Sequence, residues 1–247
     1  MLSLESLFLW IGGVIISEFI QLLVDRDNAP SSFFGHSQCD HCKKQVPWYG
    51  LIPVFGYFFV GGRCVYCKKQ INPKYPMFEL IFALFWGISV FMLQGQYLLL
   101  GLLFFLLCIV SYLAYFDLRQ HEVPVAALGL LPIAYGLLYF VGLVELSLYG
   151  IAIMFFIILI SVSVVRFTKK DIAVEDIFGP ADWFVLLVAG LFIGVEPAVI
   201  VIIISVVILG MYYIAQYLVF KKTIKGVPFL FWYLPILYLY TLFLIGT

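Results

Sequence analysis

The sequence predicts an all-α polytopic membrane protein with about eight transmembrane helices, and three observations support this prediction. Hydrophobic residues make up 64% of the 247 residues and charged residues only 11%, a composition typical of chains embedded in lipid. Apolar runs long enough to cross a bilayer recur along the whole chain. Basic residues occur only in alternate connections between those runs.

A helix needs about 20 predominantly apolar residues to cross the hydrocarbon core. The runs that meet or approach this length are 6–24, 77–93, 97–116, 123–143, 146–165, 182–195, 197–220 and 228–245. The first run lacks both a basic leading region and a small-residue cleavage site, so we expect it to be a retained span and not a removed signal sequence.

The basic residues orient these spans. All 14 Lys and Arg residues follow the first, third, fifth or seventh run, and the other connections contain none. Short cytoplasmic loops are enriched in Lys and Arg. The pattern therefore predicts that both termini lie outside and that the polar connection after the first helix lies in the cytoplasm. The net charge of zero says nothing about nucleic acid, and we expect no nucleic-acid partner.

Four cysteines form two pairs in that polar connection, Cys39-x-x-Cys42 and Cys64-x-x-Cys67, and each pair is followed by Lys-Lys-Gln. Two such pairs supply four thiolates for one tetrahedral ion, the arrangement that Zn²⁺ prefers in structural sites. We therefore predict a small zinc ribbon. The alternatives are two disulfides or a redox dithiol, and disulfides need an oxidising compartment. A cytoplasmic loop favours the metal.

Two aspartates lie at the predicted cytoplasmic boundary. Asp117 closes the third apolar run and Asp182 opens the sixth. Two carboxyl groups that meet across a helix bundle can share a proton and a water, one acting as base and the other as acid, as in aspartic peptidases. The alternative is that each aspartate is an ordinary interfacial charge at a helix end.

Helix polarity predicts different environments for the two groups. Gly179 can adopt backbone angles closed to other residues, and Pro180 suits the first helical position, so we expect Asp182 in a first helical turn that favours its ionised form. Asp117 is expected near the carbonyl end of its helix, which favours protonation. Such a difference suits an acid and base pair.

Several blocks of the sequence resemble a known family, the bacterial type IV prepilin peptidases, which are membrane aspartic peptidases of the GxGD type. The blocks with the order and spacing of the family's cytoplasmic zinc loop are GHSQCDHC at 35–42, IPVFGY at 52–57, GGRCVYC at 61–67 and YPMFEL at 75–80. Further along, Val123-Pro124 follows Asp117, and Val227-Pro228-Phe229 is similar to the start of the family's final helix.

The resemblance implies a defined activity. Such enzymes cut the short basic leader of type IV pilin-like precursors at the cytoplasmic face, after a glycine, and many methylate the new amino terminus with S-adenosylmethionine. It implies Asp117 and Asp182 as the catalytic pair, and Cys39, Cys42, Cys64 and Cys67 as ligands of a structural Zn²⁺. No residue is assigned to the methyl donor.

The sequence also departs from the family pattern. Ala181 replaces the usual glycine before the second aspartate, and Phe184 replaces the usual lysine two positions after it. Two other functions stay open. One is a membrane scaffold that uses its zinc ribbon to recruit a partner, and the other is a transporter that uses intramembrane carboxylates, among them Glu18 and Glu79, as proton or cation ligands.

The predicted organisation has three parts. Residues 1–24 form the first transmembrane helix, residues 25–76 the cytoplasmic zinc-binding loop with its four cysteines, and residues 77–247 a seven-helix aspartic peptidase domain. We expect a multi-pass protein of the bacterial inner or plasma membrane, in contact with lipid and with prepilin-like precursors, and with the zinc loop and the active site on the cytoplasmic side.

Overall fold

The chain is mostly helical in the part described by the computed structural model, which comprises residues 3–25, 37–39, 41–120, 123–168, 179–220 and 229–246. The helices are α1 (Leu4–Asp25), α2 (Phe55–Phe59), α3 (Lys74–Met92), α4 (Tyr97–Gln120), α5 (Val125–Leu128), α6 (Leu130–Phe140), α7 (Leu148–Thr168), α8 (Pro180–Ile193), α9 (Val195–Phe220) and α10 (Phe229–Gly246). They form two compact units, Met1–Leu100 and Gly101–Thr247.

The first unit is built on the packing of α1 against α3. Trp10 of α1 donates its indole N–H to the carbonyl oxygen of Ala83 at 2.9 Å, and Trp86 of α3 donates to that of Leu9 at 2.8 Å. Gly13 makes room for Trp86, because a Cβ atom there would clash with the indole ring. Each tryptophan thus satisfies its polar atom on the opposite helix while its ring fills the interface.

The predicted fold class is confirmed. The described residues contain no strand, only the two isolated bridges Gln38–Gln45 and Arg63–Gln70, and the cysteine loop follows the first helix. Among the described helices, α1, α3 and α4 are long and apolar enough to cross a membrane, judged by length and composition. The number of eight crossings stays a prediction.

One predicted span is shorter in the structure. The run 123–143 contains α5 and α6 on either side of Gly129, whose φ of −62° and ψ of −20° are themselves helical. The apolar helix Ala126–Phe140 is shorter than the roughly 20 residues that cross the hydrocarbon core.

The second unit has a close helix contact between α7 and α8. Gly150 and Gly190 face each other, and a Cβ atom on Gly150 would clash with the carbonyl oxygen of Gly190. Small residues of this kind let helix backbones approach within a membrane. Ser147 caps the start of α7, because its hydroxyl accepts the Gly150 N–H at 2.9 Å. Its own N–H donates to the carbonyl oxygen of Leu191 on α8 at 2.7 Å.

The last helix, α10, is deeply buried in the second unit, with Tyr233, Leu237 and Tyr238 at 0% exposure. The Tyr135 hydroxyl of α6 bonds to the Thr241 hydroxyl at 2.9 Å, and both residues are fully buried. The deep placement of α10 matters for function, because its first turn reaches Asp117.

Candidate metal and catalytic sites

The two cysteine pairs form one cluster in the structure. Their four sulfur atoms lie within 4.8 Å of one another. Cys39 and Cys67 sulfurs are 3.8 Å apart, as are those of Cys42 and Cys64. A tetrahedron with metal–sulfur bonds of about 2.3 Å has edges of about 3.8 Å. The residues therefore fit a tetrahedral metal ion such as zinc.

The backbone of the cluster repeats the same turn twice. In the first turn the Cys39 N–H bonds to the Lys44 oxygen and the Lys43 N–H to the Cys39 oxygen, both at 2.9 Å. The second turn, Cys64–Lys69, has the same two bonds at the same lengths. Lys43 and Lys68, at matching positions, have φ of 57° and 60°. The near-repeat in the sequence is thus a near-repeat in backbone geometry.

Backbone amides prepare the cluster for negative charge. The N–H groups of Cys67 and then Tyr66 lower the pKa of the Cys64 thiol to about 6. The Lys69 amide also lowers the pKa of Cys67, but burial and the neighbouring thiols outweigh it and raise that pKa to about 11. One thiolate therefore forms readily, and further ones require a cation to offset their repulsion.

All five cysteines are free thiols, which does not support the disulfide alternative. Cys108 lies alone and partly buried in α4, where it acts as a small apolar residue. His41 is exposed beside the cluster, and His36 lies outside the described residues.

Asp182 is the third residue of α8, and its exposure is only 8%. Its Oδ2 accepts the backbone N–H of Gly179, the residue before the helix, at 2.8 Å. This is half of a capping box, because glycine has no side chain to return the bond. The first turn predicted for Asp182 is thus present, and its amides and dipole stabilise a negative charge.

Asp117 lies in the last turn of α4, and its exposure is 6%. Its Oδ2 accepts the backbone N–H of Phe231, the third residue of α10, at 3.1 Å. The first four N–H groups of a helix have no partner within that helix. Asp117 therefore caps α10 across the bundle.

Both aspartates are buried in the second unit. They are 65 positions apart in sequence, and an electrostatic interaction links their carboxyl groups. Asp117 lies near the carbonyl end of its own helix, as predicted. The prediction did not include the second contact, in which its carboxyl group accepts an N–H at the amino end of α10.

One local expectation, at Gly179, needs correction, and the structure also shows the backbone position of Ala181. Gly179 has φ −76° and ψ 165°, an extended conformation open to any residue, so its freedom at positive φ is not used. Ala181 lies within the first turn of α8, where alanine is the most favourable residue. The methyl group therefore imposes no backbone strain. Phe184 is 37% exposed.

Sequence reasoning missed Phe231, whose contribution is a backbone N–H and not a side chain. A signal was present in Pro228, which precedes the final helix by one residue and marks a helix start with unpartnered amides. The partner of those amides depends on tertiary packing, which the local sequence does not describe.

Comparison with known proteins bears on this arrangement. Residues 11–93 match the family of the bacterial peptidase A24 N-terminal domain. A prepilin leader peptidase/N-methyltransferase of Klebsiella pneumoniae is 30% identical over 125 residues, which cover 47% of this chain and 54% of the relative. The chain is related to the bacterial prepilin peptidases. The resemblance drawn from the sequence is therefore confirmed.

Other relatives agree. A prepilin leader peptidase/N-methyltransferase of Vibrio cholerae is 27% identical over 176 residues, which cover 65% of this chain and 62% of the relative. A type 4 prepilin-like proteins leader peptide-processing enzyme of Escherichia coli is 27% identical over 93 residues, 30% of this chain and 35% of the relative. The chain thus spans between about a third and three-fifths of these relatives. No solved structure gives a significant match.

Proposed function

We propose that this chain is a membrane aspartic endopeptidase that removes the basic leader of type IV prepilin-like precursors at the cytoplasmic face, after a glycine. Asp117 and Asp182 are the catalytic pair in this proposal. We also propose that the protein methylates the new amino terminus with S-adenosylmethionine, and that Cys39, Cys42, Cys64 and Cys67 hold a structural Zn²⁺.

In a buried carboxyl pair, one group can act as the general base of hydrolysis and the other as the general acid. One group, ionised, accepts a proton from water as that water attacks the scissile carbonyl carbon. The other, protonated, donates a proton to the leaving amide nitrogen. Repulsion between two negative carboxylates in one buried site opposes the ionisation of both groups. One group therefore keeps its proton and can act as the acid.

The burial of Asp117 and Asp182 in one helical unit, with an electrostatic interaction between their carboxyl groups, is the observation that carries the proposal. Ordinary interfacial charges point into water or headgroups, whereas these two side chains are buried. Each has an oxygen fixed by a backbone N–H, which holds the carboxyl group in place for proton transfer. The names of the relatives supply the substrate class.

The test replaces each aspartate with asparagine. The amide oxygen of Asn can still accept the N–H of Gly179 or Phe231, so the helix caps survive while the ionisable group is lost. We expect Asp117→Asn and Asp182→Asn each to abolish leader cleavage, measured as the mass change of a purified precursor. Thermal unfolding in detergent should stay close to that of the unaltered protein.

Asp25→Asn is the matched control, because Asp25 is exposed at the end of α1 and lies outside the pair. It should cleave normally. Near-normal turnover in either active-site variant would rule out the catalytic pair. An unaltered protein that binds zinc but never cleaves the precursor would instead favour the scaffold function.

A further inference from the structure

A second buried acidic site lies in the first unit, where α1 and α3 flank the cysteine loop. Glu79 of α3 is 9% exposed, and its two oxygens have different partners. Oε1 accepts the side-chain N–H of Gln21 on α1 at 3.1 Å, and Oε2 accepts the backbone N–H of Val54 at the centre of a tight turn.

The Val54 turn is strained. Its φ of 62° and ψ of −54°, with the Phe55 N–H bonded to the Pro53 oxygen at 2.6 Å, define the rare γ-turn with positive φ. A β-branched residue is unfavourable in this conformation, and such strain persists only where the surroundings enforce it. Glu79 therefore holds the loop against α3 in a fixed geometry.

Gln21 carries the observation that points to a ligand. Its side chain is 4% exposed, and its carboxamide oxygen is buried without a hydrogen-bond partner in the part of the chain that the structure describes. Its amide nitrogen bonds to Glu79, so the unpartnered oxygen lies beside that carboxylate. A buried acceptor without a donor is unfavourable, and a bound donor would recover that cost.

Glu18 adds a second carboxylate at the same place. It precedes Gln21 by three residues on α1, so the two share one helix face, and its carboxyl group interacts electrostatically with that of Glu79. Glu18 is only partly buried, which leaves the site open on its side. The acidic site therefore contains two carboxyl groups and an unpartnered amide oxygen. None of its three described residues, Glu18, Gln21 and Glu79, carries a positive charge.

We propose that Glu18, Gln21 and Glu79 bind a primary ammonium group, the α-amino group of the polypeptide that leader cleavage produces. The inference rests on the proposed function. Three oxygen acceptors from three side chains match the three N–H donors of an ammonium, and the carboxylates match its charge. A divalent ion such as Mg²⁺ or Ca²⁺ would have to complete its six or more oxygen ligands with water, whereas three acceptors satisfy an ammonium group.

The same site has a chemical use in N-methylation. An ammonium must lose a proton before it can act as a nucleophile, and a carboxylate of Glu18 or Glu79 can accept that proton. The nitrogen lone pair then forms the new N–C bond while the S–C bond of a sulfonium methyl donor breaks, which leaves a neutral thioether.

The direct test measures binding without any methyl donor. The probes are two short synthetic peptides with the mature amino-terminal sequence of a prepilin-like protein, one with a free α-amino group and one acetylated. We expect the full-length protein to bind the free amine at least about tenfold more tightly, as charged hydrogen bonds of this kind allow. Glu18→Gln should remove most of that preference.

Glu5→Gln is the matched control, because Glu5 lies in the first turn of the same helix and bonds only to the Tyr97 hydroxyl among the described partners. It should keep the preference for the free amine. In a coupled assay with precursor and S-adenosylmethionine, Glu18→Gln should lower the methylated fraction of the cleaved product by at least about tenfold relative to Glu5→Gln.

Equal affinity of the unaltered protein for the two peptides would overturn the inference, and so would a preference that survives Glu18→Gln. A second variant, Gln21→Met, removes the acceptor and keeps the length of the side chain, and it should also weaken the preference. Failure of precursor cleavage together with a clear amine preference would count against the proposed peptidase and not against this site.

Discussion

The cysteine loop and the aspartate-bearing helices reach a defined geometry by opposite means. Among residues 41–73, all of which the structure describes, only Gly56, Gly62 and Cys64 are buried. The helices of the second unit, in contrast, bury Asp117 and Asp182 among tightly packed apolar side chains. The loop depends on turns and on four sulfurs, whereas the helical unit depends on packing.

The two regions should therefore tolerate different perturbations. A segment without a core obtains its folding free energy from the metal, so it should collapse when ligands are lost and accept changes of surface residues. A close-packed helix pair should tolerate loss of the metal but not an added methyl group at its contact.

The largest expected effect is that of removing half the metal site. Cys39→Ser with Cys42→Ser should abolish stoichiometric zinc binding and disorder the loop, because two thiolates cannot complete the tetrahedron. Elemental analysis and limited proteolysis measure both results. We expect cleavage to weaken and methylation to vanish, since both aspartates lie outside the loop in sequence.

The same double substitution tests the contrast between the regions. Helical content and the thermal unfolding of the membrane part should change little. Cys108→Ser serves as the control for loss of a thiol, because Cys108 lies apart from the cluster. Complete loss of cleavage in a protein that still folds would show that the loop forms part of the peptidase site.

A smaller effect is expected from one methyl group in the helical unit. Gly150→Ala would place its Cβ against the Gly190 carbonyl oxygen, and backbone atoms cannot move aside as a flexible side chain does. The helices must separate, at a cost of about 2 kcal/mol. The midpoint of thermal unfolding in detergent should fall.

Gly136→Ala is the matched control within α6, because a Cβ atom there has no neighbour within 4 Å. It should leave stability unchanged or raise it by up to ~1 kcal/mol through helix propensity. If the two variants unfolded at the same temperature, close α7–α8 packing would not be a determinant of stability.

The smallest effect concerns the loop backbone. Lys68 has φ of 60°, a left-handed conformation that costs an L-residue about 1 kcal/mol and glycine little. Lys68→Gly should therefore retain zinc more strongly against a chelator than Lys69→Gly, which removes the same charge from a residue without positive φ. The reverse order of zinc release would contradict this account of the turn.

The metal site was predictable because its information is local. Each cysteine pair is a tight turn, and the repeated Cys-x-x-Cys-Lys-Lys-Gln specifies two such turns. The aspartate pair was predictable only as a hypothesis, since tertiary packing decides whether residues 65 positions apart come together. The cap of Asp117 on α10 and the contact of Gly150 with Gly190 both depend on neighbours that a hydropathy pattern does not specify.

The two cysteine turns also determine what oxidation can do to the loop. The contacts at 3.8 Å join Cys39 to Cys67 and Cys42 to Cys64, one sulfur from each turn. An oxidant that removes two electrons from such a neighbouring pair of thiolates, after loss of the ion, would therefore link one turn covalently to the other. Oxidative damage would then hold the two turns of the emptied loop together, and only a reductant could return the thiols needed to rebind the metal.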